Sequence, residues 1–264
     1  MSRLLILAAL LLQEPAREKF ELRVRPVQGD RIETFDSWTH TFRGSLGDEP
    51  LRFSTRGGRR LIVDLSRVED GRLTRKSVEV ADSYIETQDV KTGKYVRKDD
   101  AVHGRKVTIE LRDGREVRTG AEGVPEAEQK TLSMDDPLTR LFPDKAVAIG
   151  ESWDLQGDEL KKVFVNGDFT EGRIVVSLRD VKEIDGRRCA LLMTKYDVKS
   201  AAGGAKRELS LSGTLTVWID RGYILAMSQS GTMKTDGADP KTGQPNGEAA
   251  ITGELKATPL EKAK

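Results

Sequence analysis

Residues 209–219 read Leu-Ser-Leu-Ser-Gly-Thr-Leu-Thr-Val-Trp-Ile. Leu209, Leu211, Leu215, Val217 and Ile219 fall on one face of an extended chain, and Ser210, Ser212, Thr214 and Thr216 on the other. A period of two over this length demands a strand, because successive side chains point to opposite sides of a pleated backbone. One face must be buried and the other wetted, which is the habit of antiparallel sheets. Gly213 interrupts the apolar face and predicts a bend or bulge. Residues 223–233 continue the pattern, and Asp220-Arg221-Gly222 predicts a three-residue hairpin loop with glycine left-handed.

The same design recurs upstream. Residues 20–27, 31–43, 60–68, 73–80, 106–119, 173–181, 188–198 and 248–257 read as strands. Asp70-Gly71, Asp113-Gly114 and Asp185-Gly186 are hairpin signals, and Asn166-Gly167 predicts another between Val163-Phe164-Val165 and Asp168-Phe169-Thr170. Tight turns between long strands predict an antiparallel meander rather than a parallel α/β sheet. Residues 121–145 differ, with Gly123, Pro125, Pro137 and Pro143. Asp136 as N-cap and Pro137 as first helical residue predict a short helix over about 137–142, with irregular helix over 125–131. Residues 201–205 and 236–247 read as polar loops, and 261–264 as a solvated tail.

The resulting expectation is a mainly β fold. It is a strongly curved antiparallel sheet, an open barrel-like meander, with one or two short helices near the middle. The chain divides into an N-terminal meander (17–120), a helical or irregular crossover (121–145) and a C-terminal meander (146–260). One continuous sheet is expected, with two small β domains as the alternative.

The first residues stand apart. Arg3 precedes nine apolar residues, Leu4 to Leu12. A helix of that length, rising about 1.5 Å per residue, is too short for a hydrocarbon core of roughly 30 Å. Residues 1–16 read as a secretory signal peptide, which predicts a periplasmic or secreted protein. No other stretch is apolar over a membrane-spanning length. The one cysteine, Cys189, forms no intramolecular disulfide and lies in an apolar run, so it reads as a buried, inert thiol. The 44 basic and 43 acidic residues nearly cancel, which removes the electrostatic case for nucleic acid.

Signals for chemistry are few. Only His40 and His103 exist, and Gly150-Glu151-Ser152-Trp153-Asp154 lacks the second glycine of a nucleophile elbow. Two distant histidines and one cysteine give no zinc spacing. Asp135-Asp136 and Asp236-Gly237-Ala238-Asp239 do not match a calcium loop, and the first reads as helix capping. Gly203-Gly204 lacks the context of a phosphate loop. No enzyme, cofactor or metal is expected. Trp38, Trp153 and Trp218 read as core anchors, with a share in a ligand pocket as the alternative.

The stretch Leu141-Phe142-Pro143-Asp144-Lys145-Ala146-Val147-Ala148-Ile149-Gly150-Glu151-Ser152-Trp153 resembles a segment of uncharacterised exported bacterial proteins of the DUF6263-type group. Gly213 to Tyr223 resembles the strand–turn–strand near the end of such proteins. In its long amphipathic strands and short helices the chain also resembles, more distantly, periplasmic lipoprotein carriers and related lipid binders. That resemblance implies a concave sheet holding a lipid or other hydrophobic ligand. Leu211, Leu215, Val217, Leu225 and Met227 are the residues expected to form such a face. The same residues would equally serve a closed core. The alternative function is a structural protein recruiting another envelope protein through sheet edges or loops. Oligomeric state is not specified.

Overall fold

The computed structural model describes residues 18–89, 92–164, 169, 171–202, 205–237 and 245–260. The first half runs through β1 (Lys19–Phe20), β2 (Arg31–Leu46), β3 (Glu49–Glu69), β4 (Arg72–Gln88), β5 (Tyr95–Asp99), β6 (Lys106–Arg112) and β7 (Arg115–Thr119). A crossover carries helix α1 (Glu126–Lys130) and a 3₁₀ turn at Pro137–Leu141. Then come β8 (Val147–Ala148), β9 (Ser152–Gln156), α2 (Asp158–Val163), β10 (Glu171–Ile184), β11 (Arg187–Ala202), β12 (Ala205–Trp218), β13 (Tyr223–Asp236) and β14 (Asn246–Leu260).

The Asp-Gly pairs set the hairpins. Asp70, Asp113 and Asp185 adopt φ of 49°, 50° and 50°, and the glycines that follow adopt 73°, 75° and 71°. Two consecutive left-handed residues make a type I′ turn, whose twist matches that of the strands it joins. Pairing resumes at once on either side, as in Glu69↔Arg72 and Ile184↔Arg187.

Twelve strands form one antiparallel sheet in the order β7-β6-β4-β3-β2-β14-β13-β12-β11-β10-β9, with β5 also on β4. The two meanders meet where β2 pairs β14, from Arg31↔Leu260 to Ser45↔Asn246. The sheet is open: β7 and β9 end it and do not pair with each other. Small β1 and β8 pair separately.

The crossover must travel from one edge of the sheet to the other, and it fills the concave side as it does so. Ala121, Val124, Leu132 and Met134 bury against Val78, Val80, Val107 and Ile109 of the first half. Leu141 and Val147 bury against Ile174, Leu178, Leu192 and Leu215 of the second, with Leu160 of α2 and Leu22. Two separate cores therefore lie under one sheet. No helix among the described residues is long and apolar enough to cross a membrane.

Several expectations need correction. Of residues 20–27 only Phe20 joins a ladder; the rest is extended chain, tied by Arg25 N–H to Arg221 O (2.8 Å). Its alternation buries Phe20 and Leu22 beneath the sheet instead of within it. Gly213 makes no bulge; pairing runs unbroken through Gly213↔Gln229. A Cβ there would come within 2.3 Å of the Ser228 carbonyl oxygen, so the glycine lets the backbone of β13 approach closely. The bulge falls between Thr216 and Val217, with Leu225 the extra residue on β13. Val163 ends helix α2 rather than starting a strand, because Leu160 and Val163 share one helical face that caps the second core. The loop after β12 has four residues, 219–222. Strand β5 was not foreseen. The signal-peptide segment, Asn166-Gly167, most of the 236–247 loop and the 261–264 tail lie outside the described residues.

Candidate functional site

Between the two cores none of the described elements covers the concave face. Register fixes which side chains line it. On β2 these are Ile32, Thr34, Asp36, Trp38, His40 and Phe42, every second residue. Opposite them on β14 stand Ala257, Leu255, Gly253, Ile251 and Ala249, and on β3 Val63, Leu61, Arg59, Gly57, Thr55 and Phe53. Most of these are only half-buried. From Ile32 to Phe42 the trough runs about 33 Å, at roughly 3.3 Å per residue.

One end deepens into a cavity of about 630 Å³. Its floor is apolar, with Ile32, Val63, Leu65, Leu73 and Ile224, and Val24, Pro26 and Met134 form its walls. The mouth is ionic and includes Lys76, Glu116, Asp136 and Arg140. Tyr223 fixes the wall where the N-terminal segment crosses: its hydroxyl donates to Asp30 Oδ2 at 2.9 Å. Burial and that carboxylate both push the phenol well above its ordinary value. At the far end the rings of Phe42 and Phe53 stack 5.2 Å apart and close the trough.

Polar groups interrupt the floor midway. Asp36 pairs in register with Arg59. Burial raises the Asp36 carboxyl, with Arg59 acting the other way. Arg59 donates to Thr131 Oγ1 (3.1 Å) and Ser83 Oγ (3.3 Å), so it ties the crossover to the sheet. Trp38 lies flat over Gly57, where a Cβ would meet the indole at 2.6 Å. His40 packs on Trp38 with ring centroids 4.7 Å apart, and burial lowers its imidazole below the usual value.

Four of the five residues expected from the sequence, Leu211, Leu215, Val217 and Met227, belong to the second core or pack against it. Leu215 and Val217 are fully buried in that core, and Leu211 and Met227 pack against it from the trough side. Leu225 occupies the bulge. None of the five lines the 630 Å³ cavity. The cavity residues come from the first half, the crossover and the N-terminal segment. Asp136, a helix cap by its place before Pro137, does cap the 3₁₀ turn by accepting from Leu138 N–H at 2.9 Å. Lys76 carried no signal, since a lysine in an alternating strand reads as solvated.

The histidines do not form a hydrolytic site. His103 Nδ1 accepts from Ser83 N–H (3.3 Å), while the buried Ser83 hydroxyl donates to Asp100. The hydroxyl proton is thus committed to a carboxylate, not to the imidazole. Asp82, Asp99 and His103 cluster as cation ligands would, but Arg97 already bridges Asp82 (2.6 Å) and Asp99 (2.7 Å). Cys189 is fully buried, and that burial raises its thiol. Trp153 anchors the crossover by donating to Leu141 O at 2.8 Å. Trp218 lies under Arg187 and Arg221.

No family model matches the chain, and no curated protein does. The resemblance to the DUF6263-type group therefore rests on the stretches around Trp153 and Trp218 alone. Among solved structures, the chain is similar to a lipovitellin described for its lipid–protein interactions (TM-score 0.46, 8% identity). The match covers 92% of this chain and 26% of lipovitellin, so the chain spans about a quarter of that protein. It is also similar to DynF from the dynemicin biosynthesis pathway of Micromonospora chersina (TM-score 0.21, 9% identity, 95% and 88% covered). A LolA superfamily protein from Nitrosomonas europaea is similar at a TM-score of 0.18 and 9% identity, with 91% and 90% covered.

Proposed function

We propose that this chain is a non-catalytic binding protein of the bacterial cell envelope that holds a lipid or similar elongated apolar ligand along its concave face. The observation that supports the reading is the 630 Å³ cavity. It sits between two cores that are each packed shut, and it opens into a half-buried trough. A sheet built only to close on itself would bring the two cores together over β2 and β14. Ligand sites in proteins are concave, mostly apolar and edged by a few polar groups. The alternative, recruitment of an envelope protein through sheet edges, has less support: β7 and β9 have five residues each and carry charges such as Arg115, Glu116 and Asp154. Short, charged edges discourage strand addition.

Native mass spectrometry of delipidated protein mixed with envelope lipid extract tests the reading. A discrete mass shift is expected, and Ala257→Trp, which fills the cavity, should abolish it. No shift in the unsubstituted protein, or an equal shift in the filled variant, would reject it.

A further inference from the structure

Six charged side chains line the cavity, three of each sign: Arg72, Lys76, Arg140, Glu116, Asp135 and Asp136. Glu116 is bound to Arg118 and also accepts from Met134 N–H at 2.9 Å. Asp135 is paired with Arg140 at 2.8 Å. Lys76 and Asp136 are not matched in this way. Lys76 Nζ donates to Met134 O at 2.9 Å, and Asp136, Glu116 and Asp135 act on it through space, with no direct ion pair to it among the described residues. The Asp136 carboxylate accepts from Leu138 N–H, and no cation among the described residues lies within ion-pair distance of it.

We propose that the mouth takes a zwitterionic headgroup on a single-chain lipid, its phosphate at Lys76 and its ammonium at Asp136. This rests on the cavity being the apolar-ligand site. A purely anionic head would face three carboxylates, and a purely cationic head three cations. Lys76 and Asp136 attract one another without direct contact, and a head carrying both signs gives each a charge-assisted hydrogen bond, which is the strong kind. Burial in the concavity pushes the Lys76 ammonium down, although Asp136, Glu116 and Asp135 act the other way through space. A cavity of 630 Å³ suits one chain better than two.

Titration calorimetry of the full chain with three lipids of one chain length, each below its micelle concentration, tests this. The lipids are lysophosphatidylethanolamine, lysophosphatidic acid and a monoacylglycerol. The zwitterion should bind about tenfold more tightly than either of the others. Lys76→Met should bring it down to the monoacylglycerol's affinity for the same variant. Asp136→Asn should bring it down to that of lysophosphatidic acid; asparagine caps a helix as well as aspartate does, so the fold is kept. Equal binding of all three lipids would overturn the headgroup assignment and leave the apolar site standing. Tighter binding of lysophosphatidic acid would also overturn it, showing a site that reads only the anion. No binding of any lipid would reject the apolar site itself.

Discussion

An open trough and a closed core make opposite forecasts for one substitution made in two places. Ile32 and Ile174 both sit within strands on the concave side, and both become alanine, so the loss of strand propensity cancels. Ile174 has 0% exposure inside the second core. Removing three carbons there costs about 0.8 kcal/mol each in transfer, plus a term for the void, or about 4 kcal/mol in total. Ile32 is half-buried and faces space that is already present. Its truncation forfeits only part of the transfer energy and makes no new cavity, about 1 kcal/mol. Urea unfolding, followed by tryptophan fluorescence and by circular dichroism together, reads the difference. A gap of about 3 kcal/mol is expected. Losses equal within about 0.5 kcal/mol would refute the open trough, since Ile32 would then be packed as tightly as a core residue.

Other consequences follow from the same face. Gly57→Ala should cost about 1–3 kcal/mol and shift the emission of Trp38, whose indole the new Cβ would strike; an unchanged spectrum would show that the ring yields freely. Burial holds the His40 imidazole below its ordinary value of 6.5, so the unfolded chain takes up the proton more readily than the folded one. Stability should therefore fall as pH drops from about 7 through 6.5 towards the folded value. Melting curves of His40→Gln should be flatter over that range. Cys189 should resist a thiol reagent in native protein and react fully in denaturant; fast native labelling would contradict its burial.

Much of this architecture is written locally in the chain. Alternation set the strands, and each Asp-Gly pair set a turn and hence the register on both sides of it. Asp136-Pro137 marked the 3₁₀ turn. What local pattern could not say is which strands meet at long range. The pairing of β2 with β14 joins residues more than 200 positions apart, and nothing in either strand names the other. That pairing decides that the two cores stay apart, and so where the cavity lies. For the same reason the expected ligand face was placed on the most regular strands, around Leu215 and Val217, where regularity marks the packed core. Helix α2 was missed because Leu160 and Val163 occupy too short a segment to show a helical period. Lys76 was missed because its burial comes from the crossover folding back over β4.

An apolar chain bound along β2 would lie against Trp38. In a protein with Trp153→Phe and Trp218→Phe, Trp38 on the trough floor is the one remaining indole. Titration with a nitroxide-labelled fatty acid should then quench its emission saturably, and unlabelled lipid should reverse the quenching. Emission that stays constant, or falls linearly without saturation, would mean that no ligand occupies the trough.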